Sequence, residues 1–228
     1  MKVLVWNIGC FSFLKYFKYF HIRSGGVDIR HEYFQPKLNG GFVSEKIGQI
    51  KPDIVFLQEF HEEEDVDSID ILNTYPYKHL IPTWYHDHSI LIASKYEFQV
   101  LPEGNFYRVA CNGFNFMPIH LNSFSAKKRF IDALFLSKLA EGIKRLIVLG
   151  DTNIWQCGHW FVFKYDKKAY RGLVKSLNDI SRSILSTTYL GFSLDKVFCS
   201  KDIKVQNVTS PKVRSHFMDH YPVYFDLE

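Results

Sequence analysis

Short apolar runs recur along this chain, and each carries an acid, an amide or an imidazole at its tip. Lys2-Val3-Leu4-Val5-Trp6 leads to Asn7, and Asp53-Ile54-Val55-Phe56-Leu57 leads to Gln58 and Glu59. Phe116-Met117-Pro118-Ile119 leads to His120, and Leu146-Ile147-Val148-Leu149-Gly150 to Asp151 and Asn153. Ser193-Leu194-Asp195-Lys196-Val197-Phe198 opens a run with an acid, and Asp219-His220-Tyr221-Pro222-Val223 sets an acid beside an imidazole just before another. Runs of this length, rich in branched residues, predict strands. Successive side chains on a strand face opposite ways, so Asp219 and His220 can serve one site only where strand meets loop, the place where functional groups collect.

Other elements follow from the same pattern. Asn112-Gly113 between Phe106–Cys111 and Phe114–His120 predicts a hairpin, because a two-residue turn needs positive φ at both central residues. Ile90–Ser94 and Phe98–Leu101 read as strands. Ser44 is placed to cap a short helix through Ile47 and Ile50 that Pro52 ends. Ile131, Leu134, Phe135 and Leu139 fall at helical spacing and predict one apolar stripe laid on a sheet, with a further helix around Leu173, Leu177 and Ile180. Strands, mostly hairpin-linked, with helices between them predict two packed sheets flanked by helices.

Length and composition agree with one domain over residues 1–228: at 46% hydrophobic and 17% aromatic content the chain can bury a sizeable core. No stretch of about 18 uncharged apolar residues is present and the first run starts at Lys2, which predicts an intracellular, cytoplasmic protein without span or signal peptide. Cys10, Cys111, Cys157 and Cys199 are dispersed and read as reduced thiols, most of them buried. A net charge of +4 permits a nucleic-acid partner without announcing one. The acidic run Glu62–Asp65 reads as a solvated loop, with attraction of a second cation as the alternative.

In order along the chain, Trp6-Asn7, Asp53–Glu59, Ile119-His120-Leu121, Leu146–Asn153, Leu194–Phe198 and Asp219–Val223 resemble the motifs of the metal-dependent endonuclease/exonuclease/phosphatase superfamily, the deoxyribonuclease I-like proteins. The resemblance runs from Trp6 to Val223 and implies a four-layer α/β sandwich of two packed, mostly antiparallel sheets flanked by helices. It implies a bound Mg²⁺, with Mn²⁺ as a substitute, held mainly by Glu59 with Asn7 and Asp219 as companions. A hard carboxylate with few other protein ligands suits an ion that keeps several waters and takes the rest from phosphate. Asp151 and Asn153, two residues apart on one face, are suited to orient an attacking water. Asp195 beside His220 would set the imidazole tautomer and stabilise its charged form. His120 matches the position of a proposed leaving-group acid, and which histidine is acid and which is base stays open.

The resemblance also brings Arg108 and Trp155 in as substrate-binding residues. Arg129 reads as a helix-surface residue first and a phosphate contact second. His86, Asp87, His88, His159 and His216 fall at no family metal position and read as loop residues. The least typical segment, about 11–41, crowds aromatic rings among Lys15, Lys18 and Arg23 and would border the substrate. A core-covering helix, a nucleic-acid platform and an interfacial membrane helix are its three readings. Subfamily features are mostly departures: Lys196-Val197-Phe198 follows Asp195 where inositol-polyphosphate phosphatases carry arginine, and Trp155 stands where tyrosyl-DNA phosphodiesterases carry arginine. The expected activity is Mg²⁺-dependent hydrolysis of a phosphodiester by in-line water attack, with DNA as substrate and no stable protein partner. The alternatives are a small or lipid-linked phosphate as substrate, or a catalytically silent binding module.

Overall fold

The computed structural model describes residues 1–9, 36–61, 68–83, 88–157, 160–213 and 219–228, with side chains of the first helix described from residue 40. One six-stranded sheet contains β1 (Lys2–Asn7), β2 (Ile54–Phe60), β3 (Tyr77–Pro82), β4 (Ser89–Ser94), β13 (Val205–Thr209) and β14 (Val223–Leu227), in the order β13-β14-β1-β2-β4-β3. The second contains β5 (Phe98–Glu103), β6 (Phe106–Cys111), β7 (Phe114–His120), β8 (Leu146–Asp151), β11 (Asn178–Asp179) and β12 (Asp195–Cys199), in the order β11-β12-β8-β7-β6-β5. A short ribbon pairs β9 (Gln156–Cys157) with β10 (Trp160–Phe161). Each large sheet has one parallel pair, β1–β2 and β7–β8, and is otherwise antiparallel.

The apolar runs are buried on both faces, which is why they read as continuous rather than alternating. Val3, Val5, Ile54, Phe56, Phe116, Ile147, Leu149, Val197, Val223 and Phe225 fill the space between the sheets. The intervening Leu4, Trp6, Val55 and Leu57 face the opposite way and pack with Val43 and Ile47 of α1 (Pro36–Ile50). On the second sheet Met117, Ile119, Leu146 and Val148 meet Ala133 and Leu136 of α2 (Ala126–Gly142) and Ala169 and Leu173 of α3 (Lys164–Ser176). The four layers are thus helix, sheet, sheet, helices. No helix among the described residues is long and apolar enough to cross a membrane.

The hairpin forms where expected: Asn112 (φ +47°) and Gly113 (φ +76°) turn between strands in which Cys111 faces Phe114. Helices deviate more. α1 starts at Pro36, so Ser44 lies inside it and its hydroxyl accepts from Ile71 N–H instead of capping; Lys51 at φ +53° and Pro52 then end the helix. The last residues of the supposed 11–41 insertion therefore belong to α1, and residues 10–35 lie outside the described residues. On α2 three of the four residues of the expected stripe are turned outward: Ile131, Leu134 and Phe135 are exposed and Leu139 packs on the core, while Arg129, Ala133, Leu136 and Ser137 face inward. The side chain of Arg129 is satisfied only on the inner side, by Asp166, and that ion pair fixes the helix rotation. α3 ends at Ser176, so Leu177 and Ile180 follow it rather than belonging to it.

Candidate active site

At one end of both sheets the inward-facing pattern continues past the apolar residues into polar ones. Asn7 is in phase with Val3 and Val5, Gln58 with Ile54 and Phe56, His120 with Phe116, Asp151 with Ile147 and Leu149, and Asp195 with Val197. Register aligns these tips: Asn7 faces Gln58, His120 faces Asp151, and Asp195 faces Asp151 from the other side. Gln58 joins the two sheets, its amide donating to the carbonyl of Ile119 while its Oε1 accepts from Asp151 N–H at 2.8 Å.

Regular alternation would send Glu59 to the outer, α1 side. A bulge prevents this: the register between β2 and β4 shifts between Leu57 and Phe60, and Glu59 takes φ +55°. Phe60 then packs on the outer face beside Leu57, and Glu59 turns into the cleft next to Gln58. Gly9 accommodates this turn, since a Cβ there would run into the Glu59 carboxylate. Asn7 Nδ2 lies 3.0 Å from Glu59 Oε1 and 3.2 Å from Asp151 Oδ2 and donates to both, while its Oδ1 accepts from Gly9 N–H.

His120 Nε2 stands 3.6 Å from Glu59 Oε1 and 3.7 Å from Asp151 Oδ2. The dyad is formed: His220 Nδ1 is 2.8 Å from Asp195 Oδ2, and its Nε2 points into the cleft, 3.9 Å from Asp151 Oδ2 and 3.9 Å from Asp219 Oδ1. Asp219 and His220 precede β14 on an irregular stretch, so both reach the same cleft. Asn153, at φ +48°, donates through Nδ2 to Leu121 O, and its N–H donates to Asp151 Oδ1 at 2.7 Å.

Burial acts against every charge in this cleft. Burial tends to raise the carboxyl of Glu59, but His120, the Asn7 donor, His220 and His88 outweigh it and hold it below the usual range. Asp151 is pushed up by burial and by Asp195, against His220 and His120. Asp219 is pushed up to about 6 by burial, with Glu59 and Asp151 adding to the effect and His220 opposing it. For His220 burial acts downward, yet Asp195, Asp219 and Asp151 raise it well above the ordinary imidazole value.

Crowded carboxylates of this kind fit a divalent cation. Glu59, His120 and Asp151 offer one ligand atom each, all within 4.8 Å of one another. Asn7 and Asp219, expected as companions of Glu59, line the same cleft.

Three expectations need correction. His88 is not a surface loop residue: only 12% exposed, it sets Nδ1 3.8 Å from Glu59 Oε2, its ring edge-on to His61 at 4.3 Å. The available signal was the apolar run Ile90–Ala93 directly after it; β4 is antiparallel to β2, so its first residue lies at the same end as Glu59. Arg108 is not brought to the cleft. It donates to Glu103 at 2.7 Å and to Asn115, which sits opposite Leu146, five positions before the tips of the parallel β7 and β8. Arg129 is neither at the surface nor open to phosphate, because both its terminal edges are taken by buried groups. It pairs with Asp166 through two bonds of 2.8 and 3.0 Å and donates to the carbonyls of Asn122 and Ser123. Asp166 in turn accepts from Trp155 N–H, so one buried ion pair holds the loops that follow His120 and Asn153. Trp155 itself is half-buried, edge-on to Phe192 at 4.9 Å. His86, Asp87, His159, His216 and the acidic run Glu62–Asp65 lie outside the described residues, as does Cys10; Cys111 and Cys199 are buried free thiols, and Cys157 is exposed.

Comparison with known proteins assigns the family and the fold. The model of the Endonuclease/Exonuclease/phosphatase family matches residues 4–215, and the chain belongs to that family of phosphoric ester hydrolases, whose members generally depend on a divalent metal. Among solved structures, an AP endonuclease from Archaeoglobus fulgidus superposes with a TM-score of 0.72 at 13% identity, covering 100% of this chain and 99% of that one. A 3′ phosphatase from Neisseria bound to a product DNA hairpin gives 0.68 at 14% identity, covering 100% and 99%. A mannosyl-6-phosphatase from Bacteroides thetaiotaomicron gives 0.67 at 16%, with the same coverage. At such identities the likeness concerns the fold. No curated protein sequence matches the chain.

Proposed function

We propose that this protein is a divalent-metal-dependent phosphodiesterase that cleaves DNA by in-line attack of water, with Mg²⁺ as its ion and Mn²⁺ as a substitute. The observation that carries the reading is the convergence of Asn7, Glu59, His120, Asp151, Asn153, Asp195, Asp219 and His220 on one cleft. Glu59 would be the main ligand of the ion, with Asn7 and Asp219 beside it. When bound, it supplies positive charge to the phosphate oxygens and neutralises carboxylates that would otherwise repel an anionic substrate.

The chain's own residues do the rest. His220, kept charged by Asp195, donates from Nε2 to a phosphate oxygen and offsets the negative charge that builds as phosphorus becomes five-coordinate. Asp151 and Asn153 hold the attacking water in line, and the Asp151 carboxylate accepts its proton. His120 stands across the cleft as donor to the departing oxygen. Trp155 would contact the substrate beside Asn153. Two of the structural relatives named above are an AP endonuclease and a 3′ phosphatase bound to a product DNA hairpin, which supports nucleic acid over the third, a mannosyl-6-phosphatase.

The purified protein should cut a plasmid or an oligonucleotide with Mg²⁺ or Mn²⁺, and lose all turnover in excess chelator. Inositol phosphate and sphingomyelin serve as competitors. Turnover of either one alone would replace DNA with a small or lipid-linked phosphate, and full activity in chelator would sink the metal mechanism.

A further inference from the structure

Beside the cleft, on the side of the second sheet, the surface is unusually rich in exposed rings and in one sign of charge. Phe124 follows His120 by four residues and is 78% exposed; Trp160, on β10, is 83% exposed. Phe163 and Tyr165 continue the exposed rings into the first turn of α3. Monomeric proteins seldom leave such side chains grouped in water without a binding role.

Lysines are interleaved with them. Lys127 and Lys128 open α2, and Lys164, Lys167 and Lys168 open α3, all exposed. Segments 121–132 and 152–168 contain two acids, Asp166, which is buried against Arg129, and Asp132, which faces Lys128, against the five lysines and Arg129. Helix stability does not explain them, because the first turn of a helix favours acids and disfavours cations, and α2 has no acid there.

Rings and cations form one surface. Phe130 and Tyr165 meet across the two helices at 5.9 Å, with Lys168 Nζ 5.9 Å from the first ring and 5.4 Å from the second. The Arg129–Asp166 pair clamps the same turns together. The surface is also joined to the cleft: Asn153 donates to Leu121 O at the root of the loop that carries Phe124, and Val162 N–H donates to Trp155 O.

The geometry points to a platform for single-stranded nucleic acid, on which unpaired bases stack over Phe124 and Trp160 while the lysines of the two helix starts follow the phosphates into the cleft. This rests on the nuclease reading and narrows its substrate. Stacking needs base faces that a duplex keeps covered, so highly exposed rings select for unpaired strands. An interfacial membrane helix separates an apolar face from a cationic one. Here Phe163-Lys164-Tyr165 and Phe124 to Lys127-Lys128 mix the two along the same turns, which favours a strand of alternating rings and charges.

The test is fluorescence anisotropy with a short single-stranded oligonucleotide and the matching duplex, in chelator so that nothing is cleaved, with salt titration. The wild type should bind the single strand more tightly than the duplex. F124A/W160A should weaken single-strand binding by about tenfold or more at unchanged salt slope. K127A/K128A/K164A/K167A should lower the slope of log K against log salt by up to about 3. Circular dichroism and each variant's rate on bis(p-nitrophenyl) phosphate with Mg²⁺ report the fraction with an intact cleft. Equal oligonucleotide binding by both variants and the wild type would overturn the platform while leaving the nuclease reading standing. A wild type that hydrolyses the small diester and no oligonucleotide would instead sink that reading. Binding to phosphatidylcholine/phosphatidylserine vesicles, absent for oligonucleotides and lost in F124A/W160A, would reassign the surface to a membrane.

Discussion

Glu59 holds a left-handed backbone conformation at a bulge, in a cleft where its carboxylate is buried beside Asp151 and Asp219. The backbone conformation opposes folding by about 1–3 kcal/mol. The charge does not, because His120, the Asn7 donor, His220 and His88 together outweigh its burial and hold the carboxyl below the usual range. Asparagine tolerates the conformation but removes that charge. Glu59→Asn is therefore expected to lower divalent-metal-dependent activity by about a hundredfold or more with little net change in unfolding temperature in chelator, because the two effects on stability oppose each other. A collapse of stability would mean that Glu59 serves the fold rather than the site. His220→Ala and Asp151→Asn should each slow turnover by about a hundredfold or more with little change in unfolding, as groups that move protons or place water contribute on that scale. The thiols give an independent check on the burial pattern. Burial pushes Cys111 up, and burial with Asp202 and Asp179 pushes Cys199 up to about 11, whereas Cys157 is exposed. Iodoacetamide at neutral pH should modify Cys157 and spare Cys111 and Cys199 until the protein is denatured, as read by peptide mass spectrometry.

Among elements, the loops after β7 and β8 depend on one ion pair. Arg129 and Asp166 are 1% and 0% exposed, and between them they bind Asn122 O, Ser123 O and Trp155 N–H. Arg129→Ala leaves a buried carboxylate, the buried carbonyl of Asn122 and the partly buried carbonyl of Ser123 without this donor. It should cost about 3–5 kcal/mol in denaturant unfolding, the scale of breaking a buried pair from one side. An apolar replacement of both partners does not restore the loops, because Trp155 N–H and the two carbonyls remain to be satisfied. A variant within about 1 kcal/mol of wild type would show that the pair does not hold these loops. This arginine was legible as a helical residue and illegible as a clasp. Its partner lies 37 positions away on another helix, and helix spacing gives no sign of it.

At the scale of the molecule, the cleft exists because two sheets meet with their polar tips at the same end. Gln58 is a direct tie beside the Asn7–Asp151 bond, joined to Ile119 O and Asp151 N–H across the gap and fully buried. Gln58→Leu keeps the volume and removes both bonds, leaving Ile119 O and Asp151 N–H unsatisfied. Activity should drop at least tenfold and stability by about 1–3 kcal/mol. Loss of stability alone, with an unchanged rate per folded molecule, would confine Gln58 to the core.

Strand identity, the tight turn at Asn112-Gly113 and most of the cleft followed from the chain alone, because a period of two carries the inward face of each strand into its polar tip. Asn7, His120, Asp151 and Asp195 are in phase with buried neighbours that any reader of the sequence can count. Period two would have sent Glu59 outward; only the bulge opposite β4 turns it in, and a bulge is a property of pairing between strands. His88 entered the site by the same route, through the antiparallel placement of β4 beside β2. The rotation of α2, which exposes Ile131, Leu134 and Phe135, was decided by satisfying a buried arginine, since an uncompensated charge outweighs the burial of a few apolar side chains. Local pattern thus determined which groups could serve a phosphate site, and long-range pairing decided which of them meet.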